Sequence, residues 1–209
     1  MAMFIAPYAA WIVLQNILPA TAEMYAVRSV ATAALLCLWM RKVRFCKRML
    51  WGVPAGLLVA AFWILPENCD WYRTCVLWPF GFATPIDTAT PYAPETCGWP
   101  LTAAKLLGSA FVIAPAEELF FRSFLYRWIM RGDTWRDAKL ETWNWSAALW
   151  TAFVFSLEHS PRFVVAFLCA MCYQFAAKKG GIAAAITAHV ATNLLLAVYV
   201  IAAGEWHFW

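Results

Sequence analysis

Seven long apolar runs dominate the chain, near residues 3–20, 24–40, 49–65, 101–130, 145–159, 161–177 and 182–203. A helix needs about 20 apolar residues to cross a bilayer core about 30 Å thick. In lipid every backbone polar group must find its partner within the protein, which leaves helices or closed barrels. The runs are too long for strands and lack the alternation of a membrane barrel. The sequence therefore predicts an all-α, polytopic membrane helix bundle of about seven transmembrane helices. Composition supports this reading. The 209 residues are 64% apolar and only 13% charged, against about 45–50% and about 25% in a soluble domain. The 14 Trp suit membrane–water interfaces. Such a composition excludes a water-soluble globule and a disordered chain.

The placement of charge predicts the topology. Arg41, Lys42, Arg44, Lys47 and Arg48 follow the second run. Arg127, Arg131, Arg136 and Lys139 follow the fourth, and Lys178 and Lys179 the sixth. These alternate connections belong in the cytoplasm by the positive-inside rule, with the N-terminus inside. The first run is expected to be a retained span rather than a signal peptide, because no Lys or Arg precedes Arg28. Arg28, Lys105 and Arg122 are the basic residues left inside apolar runs.

Residues 66–100 form the one long connection. Pro66, Pro79, Pro85, Pro91, Pro94 and Pro100 preclude a regular helix through it, and it is expected outside, with the aromatic stretch 71–82 in the interface. Cys69, Cys75 and Cys97 share this loop, so one disulfide is allowed there. Cys169 and Cys172 lie within an apolar helix and read as small packing residues. The net charge is +4, and no basic stretch with interleaved aromatics suggests a nucleic-acid partner.

An ionisable residue inside a span is costly and therefore a candidate for function. Three clusters qualify: Glu117-Glu118-Leu119-Phe120-Phe121-Arg122, Phe155-Ser156-Leu157-Glu158-His159, and His189-Val190-Ala191-Thr192-Asn193. Glu118 and Arg122 are four residues apart on a helix and can pair. Glu117 is rotated by about 100° and left without that partner. Burial without a counter-charge suits a carboxylate to act as a general base. His189 and Asn193, again four apart, offer convergent donors for an oxyanion, or an interhelical hydrogen-bonded pair. Glu158 either orients the neighbouring imidazole or caps the turn.

The ordered set E-E-x-x-x-R, F-x-x-x-H and H-x-x-x-N over roughly 101–200 resembles the CAAX-protease and bacteriocin-processing family, which includes the Ras-converting CAAX endopeptidases. The resemblance implies one membrane domain over 1–209. Accessory spans fill 1–65, the external loop 66–100 and a catalytic core 101–203. It implies an intramembrane glutamic endopeptidase without a cofactor. Glu117 and His159 would activate water, His189 and Asn193 would hold the oxyanion, and Glu118 and Arg122 would support them. A membrane-embedded or membrane-anchored peptide would be the substrate. The tail from Asn193 to Trp209 resembles CAAX prenyl protease-related proteins that accompany exosortase systems, implying a bacterial inner membrane. Two other readings stand beside it. One is a zinc protease with Glu117, His159 and His189 as ligands. The other is a non-enzymatic binding, transport or scaffold protein.

Helical rise puts Glu117 and His189 at matching depths, but His159 too far outward. The clusters meet only under one of two conditions. Either the fifth span starts deep, tilts or turns back, or the fourth run breaks near Pro115.

Overall fold

The computed structural model describes residues 2–41, 43–72, 90–159 and 162–209. All regular structure among them is helical. The helices are α1 (Ala2–Ile17), α2 (Ala22–Met40), α3 (Gly52–Ile64, entered through a tight turn at Lys47–Trp51), α4 (99–131), α5 (Trp145–Leu157), α6 (163–180) and α7 (182–203). A short turn at Trp206–Phe208 follows. The runs Lys47–Ile64, Trp99–Asp137 and Phe163–Ala203 are long and apolar enough to cross a membrane.

The last of these runs is two spans rather than one. Gly181 adopts φ 72° and ψ −169°, a conformation open to glycine because it has no Cβ. Tyr173 and His189 are 16 residues apart, about 24 Å along a straight helix, yet their rings stack at 4.6 Å. The chain therefore folds back at Gly181, and α6 and α7 run side by side.

Helix α3 lies against α7 at backbone distance. A Cβ at Gly52 would collide with the Ala184 carbonyl, and one at Gly56 with the Ala188 carbonyl. Small residues at such a crossing replace hydrophobic drive with close packing. Thr192 Oγ1 adds hydrogen bonds to the carbonyls of Gly56 (3.2 Å) and Ala188 (3.0 Å). Gly56→Val is expected to destabilise the bundle by about 1–3 kcal/mol, the usual range for overpacking. A thermal melt in detergent, read by the protein's own Trp fluorescence, checks it.

Helix α4 runs unbroken past Pro115, contrary to a break there. Pro115 has no N–H to donate one turn back. The chain absorbs this with a π-helical turn at Ser109–Ile113, just before the α-helical Ala114–Glu118. A second π-helical stretch follows at Leu119–Tyr126. Such turns mark functional sites in many helices.

His159 reaches the same cavity as Glu117 and His189, although α5 covers nearly all of its apolar run, so the placement of the helix rather than its length brings His159 there. The 13 residues of α5 rise about 20 Å, well short of a core about 30 Å thick. Its start is fixed by Asn144, whose side chain accepts from Ala147 N–H at 2.9 Å. Tyr126 of α4 clamps the approach, donating to Thr142 O and accepting from Asn144 N–H. Ser160 and Pro161, which follow α5 and where the chain would turn back, lie outside the described residues.

Met3, Arg44, Arg48, Arg127 and Gly180 gather at one end of the bundle around a cavity of about 430 Å³. The N-terminus thus shares an end with the basic connections. At the other end Arg162 pairs with Glu67 at 3.0 Å and lies over the Phe208 ring. Cys69 and Cys97 are free thiols, so they do not form the disulfide that the loop allowed. Cys75 and most of the aromatic stretch 71–82 lie outside the described residues.

Candidate active site

The three polar clusters meet in one cavity of about 210 Å³ inside the bundle. Glu117 reaches it from α4, His159 from the end of α5, and His189 and Asn193 from α7. Trp63, Phe155, Tyr173, Phe208 and Trp209 wall it with rings.

Each imidazole is held through Nδ1. His159 Nδ1 lies 2.9 Å from the Phe155 carbonyl, one turn earlier. A carbonyl only accepts, so Nδ1 carries the proton and Nε2 keeps a lone pair. The ring is stacked on Phe155 at 4.4 Å and meets the edge of Trp63 at 5.7 Å. His159 is thus oriented by the backbone and two rings, not by the adjacent Glu158.

His189 Nδ1 lies 2.9 Å from Glu118 Oε1. Its Nε2 points at Glu117 Oε2, 3.7 Å away. That carboxylate oxygen is buried and has no hydrogen-bond partner among the described residues. Asn193 donates from Nδ2 to the carbonyl of Ser109 at 2.8 Å, and an amide carries a second N–H.

Glu118 and Arg122 are both fully buried. Their closest atoms are 3.2 Å apart. Arg122 donates to Ala170 O of α6 at 3.1 Å and lies over Phe155 and Tyr173 at 4.9 and 5.4 Å. The pair therefore ties α4 to α5 and α6. The spacing predicted a Glu118–Arg122 pair; the structure adds His189 as a third member. Among the described residues no three His, Cys, Asp or Glu side chains converge closely enough to share a metal ion.

Tyr173 and Trp63 escaped the sequence reading, because an aromatic ring in an apolar run carries no distinguishing signal. Lys105 also lines the cavity. It did carry a signal, being an ionisable residue within a span.

A helical membrane bundle with an acid–base cavity at its centre is the class of protein that fold and site define. Residues 99–195 match the family described as type II CAAX prenyl endopeptidase Rce1-like, the CAAX-protease family that the motifs resemble. The matched segment, 97 of the 209 residues, contains Glu117, His159, His189 and Asn193. No curated protein and no solved structure matches the chain.

Proposed function

We propose that the chain is an intramembrane endopeptidase that hydrolyses a peptide bond with water and no metal. The observation that carries this reading is the buried, unpartnered Glu117 oxygen in a cavity shared with His159 and His189. Glu117 takes a proton from water, with the bare Nε2 of His159 as second base, and the hydroxide adds to the scissile carbonyl. The resulting oxyanion accepts from the second N–H of Asn193, and from His189 Nε2 when that ring carries both protons. The amine leaves with the proton first taken from water. Glu118 and Arg122 hold His189 and the three helices in register.

The protein sits in a bacterial inner membrane with its basic end and N-terminus in the cytoplasm, by the positive-inside rule. Its substrate is a membrane-embedded or membrane-anchored peptide. The tail's resemblance to exosortase-associated proteins directs the search to sorting components.

Comparing the membrane peptides of a deletion strain and a Glu117→Gln strain with wild type tests the reading. The same uncut species is expected in both strains. Unchanged termini would overturn it. EDTA is expected to leave cleavage intact; its abolition together with stoichiometric zinc would establish the Glu117–His159–His189 metal reading instead. Asn193→Ala is expected to lower kcat about 10²-fold with KM little changed, the effect of losing one oxyanion donor, as measured by steady-state cleavage.

A further inference from the structure

The cavity at the basic end of the bundle is lined by three arginines from three separate segments. Arg44 comes from the connection after α2, Arg48 from the turn that enters α3, and Arg127 from the last turns of α4. None of them has a salt bridge among the described residues. Arg127 donates to the carbonyls of Ser123 (3.2 Å) and Arg136 (2.8 Å) and lies 5.2 Å from the Trp135 ring centre. Its Nε is buried without a hydrogen-bond partner. Arg48 donates to the Lys179 carbonyl at 2.9 Å. Carbonyl oxygens and ring faces orient a guanidinium but bring no full negative charge. The acid in the lining is Glu141, and three arginines against one glutamate leave a net charge of +2.

The reversal between α6 and α7 holds these groups around an open space. A Cβ at Gly180 would collide with the Arg48 carbonyl, so the turn before α3 lies directly on the reversal. The space of about 430 Å³ falls within the range of about 300–1,000 Å³ of small-molecule sites. Arg44 and Arg48 are exposed, whereas Ser123 in the same lining is buried. The rest of the wall is apolar, with Phe4, Val43, Leu119, Leu140 and Ile182. The cavity shares no lining residue with the catalytic one.

The guanidinium fork matches the oxygens of a phosphate, which it can bind through two parallel hydrogen bonds. An apolar wall beside the arginines suits a phosphate that carries acyl chains. The positive-inside rule turns this end toward the cytoplasm, where the leaflet carries anionic lipid, and basic pockets between helices on that side bind such headgroups. We propose that the cavity binds the phosphodiester headgroup of an anionic phospholipid, with Arg44, Arg48 and Arg127 on the phosphate. A free phosphate offers the same oxygens without the chains. The site goes beyond the protease reading and does not depend on it.

The test uses the full chain in a neutral detergent and never reads cleavage. Dioleoylphosphatidylglycerol, dioleoylphosphatidylcholine and inorganic phosphate are titrated separately at constant ionic strength. Thermal unfolding is followed by Trp fluorescence, and bound lipid is counted by native mass spectrometry. Phosphatidylglycerol is expected to raise the midpoint saturably by about 5 °C, as a ligand well above its Kd does in a chain of this size, with one lipid retained per chain. The other two additives are expected to leave the midpoint unchanged. Arg44→Gln/Arg48→Gln is expected to lose the shift, measured against its own lipid-free midpoint, and to bind the lipid at least tenfold more weakly. Lys47→Gln/Lys139→Gln removes two charges that do not line the cavity and is expected to keep both. Both double variants should elute as wild type on size exclusion. No shift, an equal shift with phosphatidylcholine, or a shift that survives in Arg44→Gln/Arg48→Gln would overturn the site. Equal loss in the lysine variant would overturn it too, in favour of diffuse surface charge. An arginine-dependent shift with inorganic phosphate alone would overturn the lipid as the source and assign the cavity to a soluble phosphate.

Discussion

Glu117→Gln is expected to lower kcat/KM for peptide cleavage about 10²- to 10⁴-fold, the contribution of a positioned general base. The substitution preserves the side chain's shape and removes its capacity to take a proton. Glu117 Oε2 makes no hydrogen bond among the described residues and lies 3.7 Å from His189 Nε2, so the amide replaces no structural bond there. The melt should therefore match wild type and the loss should fall on kcat. His159→Ala should show a loss of similar size. The double variant should be little worse than either single one, since groups acting on one water are not additive. A Glu117→Gln enzyme that cleaves at the wild-type rate would remove Glu117 from the mechanism.

Arg122→Ala is expected to destabilise the protein by about 3–5 kcal/mol, because it strands the buried Glu118 carboxylate. It also removes the hydrogen bond to Ala170 and the cation that lies between Phe155 and Tyr173. The double variant Glu118→Leu/Arg122→Met separates stability from function. Replacing a buried ion pair by apolar groups of similar volume is often neutral, so the melt should recover toward wild type. Activity should not recover, because His189 Nδ1 loses the acceptor that fixes its ring. Denaturation and steady-state cleavage of the same preparations check both halves.

Much of this is legible in the sequence. Lipid penalises each polar atom where it sits, so Glu117, His159, His189 and Asn193 stood out against apolar neighbours one residue at a time. The i,i+4 spacing of Glu118 and Arg122 predicted their contact, which the structure contains. Other features were not legible. Counting rise along separate helices made His159 too far outward for the site, yet it shares the cavity with Glu117 and His189, because hydropathy does not reveal how each helix is offset and tilted against its neighbours. A proline in a long apolar run suggested a break, whereas a π-helical turn carried α4 through. Arg44, Arg48 and Arg127 were visible as charges, but not as the walls of one cavity.

The sequence by itself determined that the chain is a helical membrane bundle, where its helices run, and which side chains could not be idle in lipid. These depend on local transfer free energy and on the spacing of residues along one helix. The tertiary structure alone decided which of those side chains face one cavity. The reversal at Gly181 sets Tyr173 against His189. The small-residue crossing of α3 and α7 lets Trp63 reach His159. The π-helical turn sets the rotational phase of Lys105. Convergence depends on the depth, length and rotation of several helices at once, and hydrophobicity is nearly indifferent to all three.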